Sequence, residues 1–234
     1  MLNKIIKSIP NTITSCNLLS GVVAIFFAFH LTKQIGPLYG YQWAMIAIFA
    51  ASIFDFCDGA SARLLKAYSD IGKELDSLSD LVSFGVAPSM LLLNTLLFIT
   101  GGHWVSFVAF IIPVAGALRL AKFNVDTTQS TSFSGLPIPA NAIFWIGFTA
   151  WVMSHGVCPG TLWLIVIICF MSGLMVSNMR MFSLKFKNFK LKENFSRYVI
   201  ILSAIVSVAL YGVAGLMWTI VLYILISAVA KKYI

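Results

Sequence analysis

Apolar residues run along this chain in stretches too long for the interior of a small soluble domain. Crossing the hydrocarbon core of a bilayer takes about 20 residues at a 1.5 Å rise each. Eight stretches come near that length, at roughly 14–32, 41–60, 73–99, 102–120, 138–154, 160–178, 196–213 and 215–230. Some of the turns between them are very short, as at Gly101-Gly102 and between Gly212 and Gly215, which makes neighbouring helices antiparallel. The pattern predicts an all-α polytopic integral membrane protein of about eight transmembrane helices. With no long linker, low-complexity tract or repeat, residues 1–234 read as a single membrane-embedded domain.

The charges test that count independently, because cytoplasmic loops are enriched in Lys and Arg. With the N-terminus inside, eight spans place Lys4, Lys7, Arg63, Lys66, Lys73, Arg119, Lys122, Arg180, Lys185, Lys187, Lys190, Lys192, Arg197, Lys231 and Lys232 on the cytoplasmic side and only Lys33 outside. Both termini are therefore expected in the cytoplasm, with the chain integral to the cytoplasmic (inner) membrane. Lys4 and Lys7 precede a first apolar run that is long enough to span and has no A-x-A site after it, so it reads as a retained helix. Residues 1–9 mix Leu2, Ile5 and Ile6 with those lysines, which suits a short helix on the membrane surface. The segment Lys185 to Lys192, interleaved with Phe186, Phe189 and Leu191, reads as a second interfacial stretch.

Composition agrees. The chain is 59% hydrophobic and 10% charged, against about 25% charged in an ordinary soluble domain. The net charge of +8 is explained by a basic face against anionic headgroups, so nucleic-acid binding is not needed to account for it. Cys16, Cys57, Cys158 and Cys169 show no CxxC spacing and mostly fall in apolar runs, as buried small hydrophobes do. His30, His103 and His155 lie far apart, near span ends on the side away from most lysines.

The acidic residues carry the chemistry. Of eight, six fall between positions 55 and 80: Asp55, Asp58, Asp70, Glu74, Asp76 and Asp80. A charge inside a span is costly and marks a function. Asp55 and Asp58 close the second span at i, i+3, and Asp76 and Asp80 open the third at i, i+4. Each pair shares a helix face, and both span ends are cytoplasmic, so the four groups can converge at one depth. Carboxylates so crowded repel one another unless cations lie between them. Hard divalent ions, Mg²⁺ or Mn²⁺, suit an all-oxygen set, whereas zinc would call for His or Cys. Gly59, Ala60, Ser61 and Ala62 leave room for a phosphate to approach, and Arg63 offers a guanidinium suited to a diphosphate. Asp70 and Glu74 lie off the shared stripe and read as partners of nearby cations.

Asp55-x-x-Asp58-Gly59-x-x-Ala62-Arg63, eight residues, then Gly72-x-x-x-Asp76-x-x-x-Asp80 resembles the CDP-alcohol phosphotransferase signature at every defined position. The resemblance implies a six-helix core and a two-metal centre. Asp55 and Asp76 would touch both ions, Asp58 the first and Asp80 the second, and Asp80 matches the general base. Gly59, Arg63 and Ser69 match positions that hold the CDP moiety. Asn11, Thr12, Ile13 and Thr14 resemble the family's nucleotide-contacting segment in the first helix; a plain helix cap is the other reading of those four.

Finer matches resemble the phosphatidylserine synthase branch. They are the segment from Gly72 to Pro88, Ala117-Leu118-Arg119-Leu120-Ala121-Lys122-Phe123-Asn124-Val125, and Phe133-Ser134-Gly135-Leu136-Pro137-Ile138-Pro139-Ala140-Asn141. That branch implies CDP-diacylglycerol and L-serine as substrates, with Arg119 as a candidate carboxylate clamp and Asn124 as an added hydrogen-bond donor. For Arg119 a positive-inside anchor is an equal reading. Many relatives form homodimers. Two alternatives remain open: the same chemistry with glycerol phosphate, inositol or inositol phosphate as acceptor, and a divalent-cation transporter. Against the transporter, no ionisable relay leads from the acids toward the outer side.

Overall fold

The computed structural model describes residues 2–125, 133–182 and 190–230. It is almost entirely helical, as an all-α polytopic membrane protein should be. Its contacts group into two compact units, 1–120 and 121–234, where the sequence suggests one domain. Among the described residues, five helical stretches are long and apolar enough to cross a membrane: Ser8–Ala28, Gly40–Leu64, Asp70–Thr100, Trp104–Val125 and Asn194–Val229. The expected spans at 138–154 and 160–178 are also helices. Ile138–His155 is only 18 residues long and includes Pro139, Asn141, Trp145, Trp151 and His155, and Thr161–Val176 is 16 residues long. The stretch Lys185 to Lys192 falls largely outside the described residues, and so do Lys231 and Lys232.

In the first unit, α1 (Leu2–Ala28) runs unbroken through Pro10. Its backbone therefore joins the expected surface helix at 1–9 to the first span. From Ser8 onward its buried positions are Pro10, Thr14, Asn17, Gly21, Ala24 and Ala28. The steps between them alternate four and three, the spacing of a helix–helix seam. Small residues dominate that seam, which lets backbones approach where lipid supplies no hydrophobic drive.

A two-residue hairpin, β1 (Gln34–Ile35) with β2 (Leu38–Tyr39), turns the chain into α2 (Gly40–Leu64). The Trp43 indole donates to the Ile35 carbonyl at 2.8 Å and ties the hairpin to that helix. After a loop in which Lys66 takes a left-handed φ of 50°, Ser69 caps α3 (Asp70–Asp80) by accepting from the Gly72 amide at 3.0 Å. A π-helical segment, Leu81–Val86, joins α3 to α4 (Ala87–Thr100) without a break. The seam of α1 packs on α2, α3, the π segment and α4.

The fourth span begins as a 3₁₀ turn, Trp104–Phe110, before α5 (Ile111–Val125). Pro113 accounts for part of that irregularity. It has no N–H to give the carbonyl of Ala109 four residues earlier, and that carbonyl instead accepts from the Ser89 hydroxyl of α4 at 2.8 Å.

In the second unit a short pairing of β3 (Phe133–Ser134) with β4 (Arg180–Met181) flanks α6 (Ile138–His155) and α7 (Thr161–Val176). Helix α9 (Gly215–Ala230) packs on α6 and on α8 (Leu191–Tyr211). Only a 3₁₀ turn, Gly212–Ala214, separates α8 from α9, so the two expected spans follow each other almost directly.

One glycine in the α1 seam is sterically required. A Cβ on Gly21 would lie 2.5 Å from Ser83 Oγ and 2.8 Å from Ser83 Cα. Gly21→Val is therefore expected to force α1 off the π segment and to cost about 1–3 kcal/mol. Thermal unfolding in detergent, read beside an exposed control such as Val22→Ala, checks it.

Candidate active site

The last turns of α2 and the whole of α3 supply the acidic groups. Among the described residues, Asp55, Asp76 and Asp80 each offer a carboxylate oxygen, and these oxygens lie within 4.8 Å of one another. Asp58, one turn beyond Asp55, is outside that trio but is buried and lies beside the Thr14 hydroxyl. Asp70 and Glu74 are exposed at the start of α3.

Asp58 Oδ2 and Asp76 Oδ1 are buried without a hydrogen-bond partner. Buried polar atoms are normally satisfied, so two orphaned carboxylate oxygens beside a cluster of three acids fit a site built for cations. The donors are all oxygen, as Mg²⁺ or Mn²⁺ requires.

Beside the acids lies a cavity of about 230 Å³. Asn11 and Thr14 of α1, Asp58, Gly59 and Arg63 of α2, and Ser69, Gly72 and Asp76 around α3 all contribute to its wall. It thus gathers Asn11, Thr14, Gly59, Arg63 and Ser69, the residues matched to the CDP moiety. Thr12 and Ile13 do not line it. On a helix only i and i+3 share a face, so Asn11 and Thr14 turn toward the cavity and the two residues between them turn away. Thr12 is exposed, and its hydroxyl donates back to the Ser8 carbonyl at 3.0 Å.

Two local features open the cavity. Gly59 puts no side chain on the wall, and a Cβ there would meet only the Arg63 guanidinium at 3.6 Å. A Cβ on Gly72 would come within 2.8 Å of Asn11 Oδ1 and 2.9 Å of Ser69 Oγ. Glycine at position 72 therefore lets the start of α1 close against the start of α3. Ser69 Oγ accepts the capping bond, which leaves its O–H to donate elsewhere.

Arg119 is buried on α5, and Asn124 is half-buried farther along the same helix, within the second unit. Arg119 does not line the cavity beside the acids.

The sequence reading missed Asn17. This residue is fully buried in the α1 seam, and its Nδ2 donates to Asp80 Oδ1 at 3.3 Å. Its own carbonyl accepts from the Ser83 hydroxyl at 2.9 Å. The available signal was an amide in a seam of small and apolar residues. Pro10, Ala67, Tyr68 and Lys73 also line the cavity without having been assigned a contact there.

Known proteins share these features. Residues 7–172 match the family described as CDP-alcohol phosphatidyltransferase. The chain is 36% identical over 182 residues to the CDP-diacylglycerol–serine O-phosphatidyltransferase of Bacillus subtilis, covering 78% of this chain and 91% of that protein. It is 37% identical over 155 residues to the enzyme of the same name from Methanocaldococcus jannaschii, covering 66% of each chain. The match to its Mycobacterium leprae namesake is 38% identical over 159 residues and covers 64% of this chain but 49% of that protein, so the chain spans about half of that relative's length. The matched region takes in the acids of α2 and α3, the cavity beside them and the first helix that closes it, and the chain belongs to the CDP-alcohol phosphatidyltransferase family.

Proposed function

We propose that this protein transfers the phosphatidyl group of CDP-diacylglycerol to the hydroxyl of L-serine, giving phosphatidylserine and CMP. The observation that carries the reading is the convergence of Asp55, Asp76 and Asp80 beside a cavity walled by Asn11, Gly59, Arg63 and Ser69. The relatives' names supply the substrates.

Two divalent cations held by Asp55, Asp58, Asp76 and Asp80 would neutralise the diphosphate and the charge that develops on the departing CMP. Arg63 pairs with a phosphate through charge-assisted hydrogen bonds, and the Ser69 hydroxyl donates to another phosphate oxygen. Gly59 lets the diphosphate approach the α2 backbone. Asp80 takes the proton of the serine hydroxyl as its oxygen bonds to the β-phosphorus. The bond from that phosphorus to the bridging oxygen breaks, and CMP leaves with the oxygen. Arg119 and Asn124 are the residues we assign to the serine carboxylate and its neighbouring polar group.

The basic loops support a cytoplasm-facing site in the inner membrane, with both termini on that side. CMP and serine then exchange with the cytoplasm while the acyl chains stay in the bilayer. A homodimer is the assembly proposed.

The test is an acceptor panel. Purified protein with CDP-diacylglycerol and either Mg²⁺ or Mn²⁺ is offered radiolabelled serine, glycerol phosphate, inositol or inositol phosphate. The expected result is phosphatidylserine formed with stoichiometric CMP. Efficient transfer to glycerol phosphate with none to serine overturns the choice of acceptor.

A further inference from the structure

Asn17 differs from the hydroxyl residues around it in α1. The hydroxyls of Thr12, Thr14, Ser15 and Ser20 each donate to the carbonyl four residues earlier, which satisfies them within the helix. Asn17 instead reaches across to Asp80, 63 residues away in sequence.

The orientation of its amide follows from chemistry. The two ends of a carboxamide are assigned from their surroundings. An ionised carboxylate only accepts hydrogen bonds, so the NH₂ end must face Asp80. At 3.3 Å the bond is long, as such contacts often are before substrate binds. The Ser83 hydroxyl, one turn past Asp80, donates to the Asn17 carbonyl at 2.9 Å. Asn17 is therefore fastened to the 80–83 segment at two points, through its side chain and its backbone.

Asn17 Oδ1 is buried without a partner. A leucine at this fully buried seam position would fill the space with no such unmet group. Packing alone does not explain an amide that carries this desolvation cost; the donor end does.

We propose that Asn17 is a positioning residue for Asp80. Its Nδ2–H holds one oxygen of the carboxylate and stops rotation about the terminal torsion, which is broad in an unrestrained aspartate. The other oxygen is thereby presented to the incoming hydroxyl. The inference rests on the reading of Asp80 as the base in phosphatidyl transfer. Partners that orient reactive or ligating groups are worth about 10–100-fold in activity.

The experiment compares the parent with Asn17→Leu and Asn17→Ser in steady-state transfer to serine, together with direct binding of CDP-diacylglycerol and thermal unfolding. Serine is tolerated in this helix, as Ser15 and Ser20 show, so Asn17→Ser decides the matter if the leucine variant does not accumulate. The expected result is a fall in kcat of about 10–100-fold, with KM for serine and affinity for CDP-diacylglycerol within about threefold of the parent, the pattern of a group that acts in the transition state. A kcat within about twofold of the parent in a folded variant overturns the inference while leaving the proposed function intact. So does a fall in kcat matched by an equal loss of CDP-diacylglycerol binding. A parent protein that transfers to no alcohol removes the proposed function, and the inference with it.

Discussion

Asp80→Asn is expected to lower phosphatidyl transfer by about 10²–10⁴-fold, the usual contribution of a positioned acid or base. The substitution keeps the size of the side chain and an oxygen that can still receive the Asn17 amide, so the α1 seam is preserved. It removes the basic lone pair that would take the acceptor's proton, and it removes one negative charge from the trio with Asp55 and Asp76. The residues that wall the cavity are untouched. Binding of CDP-diacylglycerol should therefore persist while turnover collapses. Single-turnover transfer of radiolabelled phosphatidyl groups, with CDP-diacylglycerol affinity measured in parallel, separates the two. Near-parental turnover would end the case for Asp80 as base.

Chelation is expected to have the other large effect. Treating the purified protein with EDTA should abolish transfer, and adding back Mg²⁺ or Mn²⁺ should restore it. The physical basis is the cluster itself. Three carboxylate oxygens within 4.8 Å repel one another in a setting less polar than water, and two orphaned oxygens in the same neighbourhood leave capacity for a cation. The same argument predicts a readout independent of catalysis. A ligand that binds only the folded protein adds about 2.7 kcal/mol of stability at a concentration 100 times its Kd. Mg²⁺ or Mn²⁺ should thus raise the unfolding temperature of the parent and do so less for Asp76→Asn. Transfer that continues undiminished in excess chelator would exclude a metal-dependent site.

Much of this site is legible in the sequence because lipid makes charge expensive. Asp55 and Asp58 stand out in an apolar helix, Asp76 and Asp80 lead directly into the next apolar run, and helical spacing alone places each pair on one face. Their meeting in space follows from two consecutive helices joined by a short loop. Gly59 and Arg63 follow on the same helix, so local arithmetic is enough to locate them. Asn17 is different. Its bond to Asp80 is a tertiary contact: an amide in a seam of small and apolar residues marks the position but does not name its partner. The tetrad Asn11 to Thr14 shows the limit of contiguous motifs, since a helix can turn only some of four successive residues toward one cavity. The 3₁₀ start of the fourth span was obscured for a different reason: Pro113 signals a lost hydrogen bond, but not that Ser89 makes up for it.

The π-helical segment Leu81–Val86 has a consequence for how this stretch tolerates change in length. An α-helix advances about 100° per residue, so accommodating one extra residue in a wider turn offsets everything downstream by that angle. The helix from Asp70 to Thr100 therefore behaves as two rods coupled by a phase shift: the first is set by the acids, the second by the buried face of α4. Deleting a single residue between positions 81 and 86 would close the wide turn to ordinary α-helix while both rods kept their faces, whereas a further residue with no wider turn to absorb it would rotate Asp76 and Asp80 by about 100° relative to α4. The wide turn thus lets the backbone register between the acids and α4 survive the loss of one residue but not the gain of one.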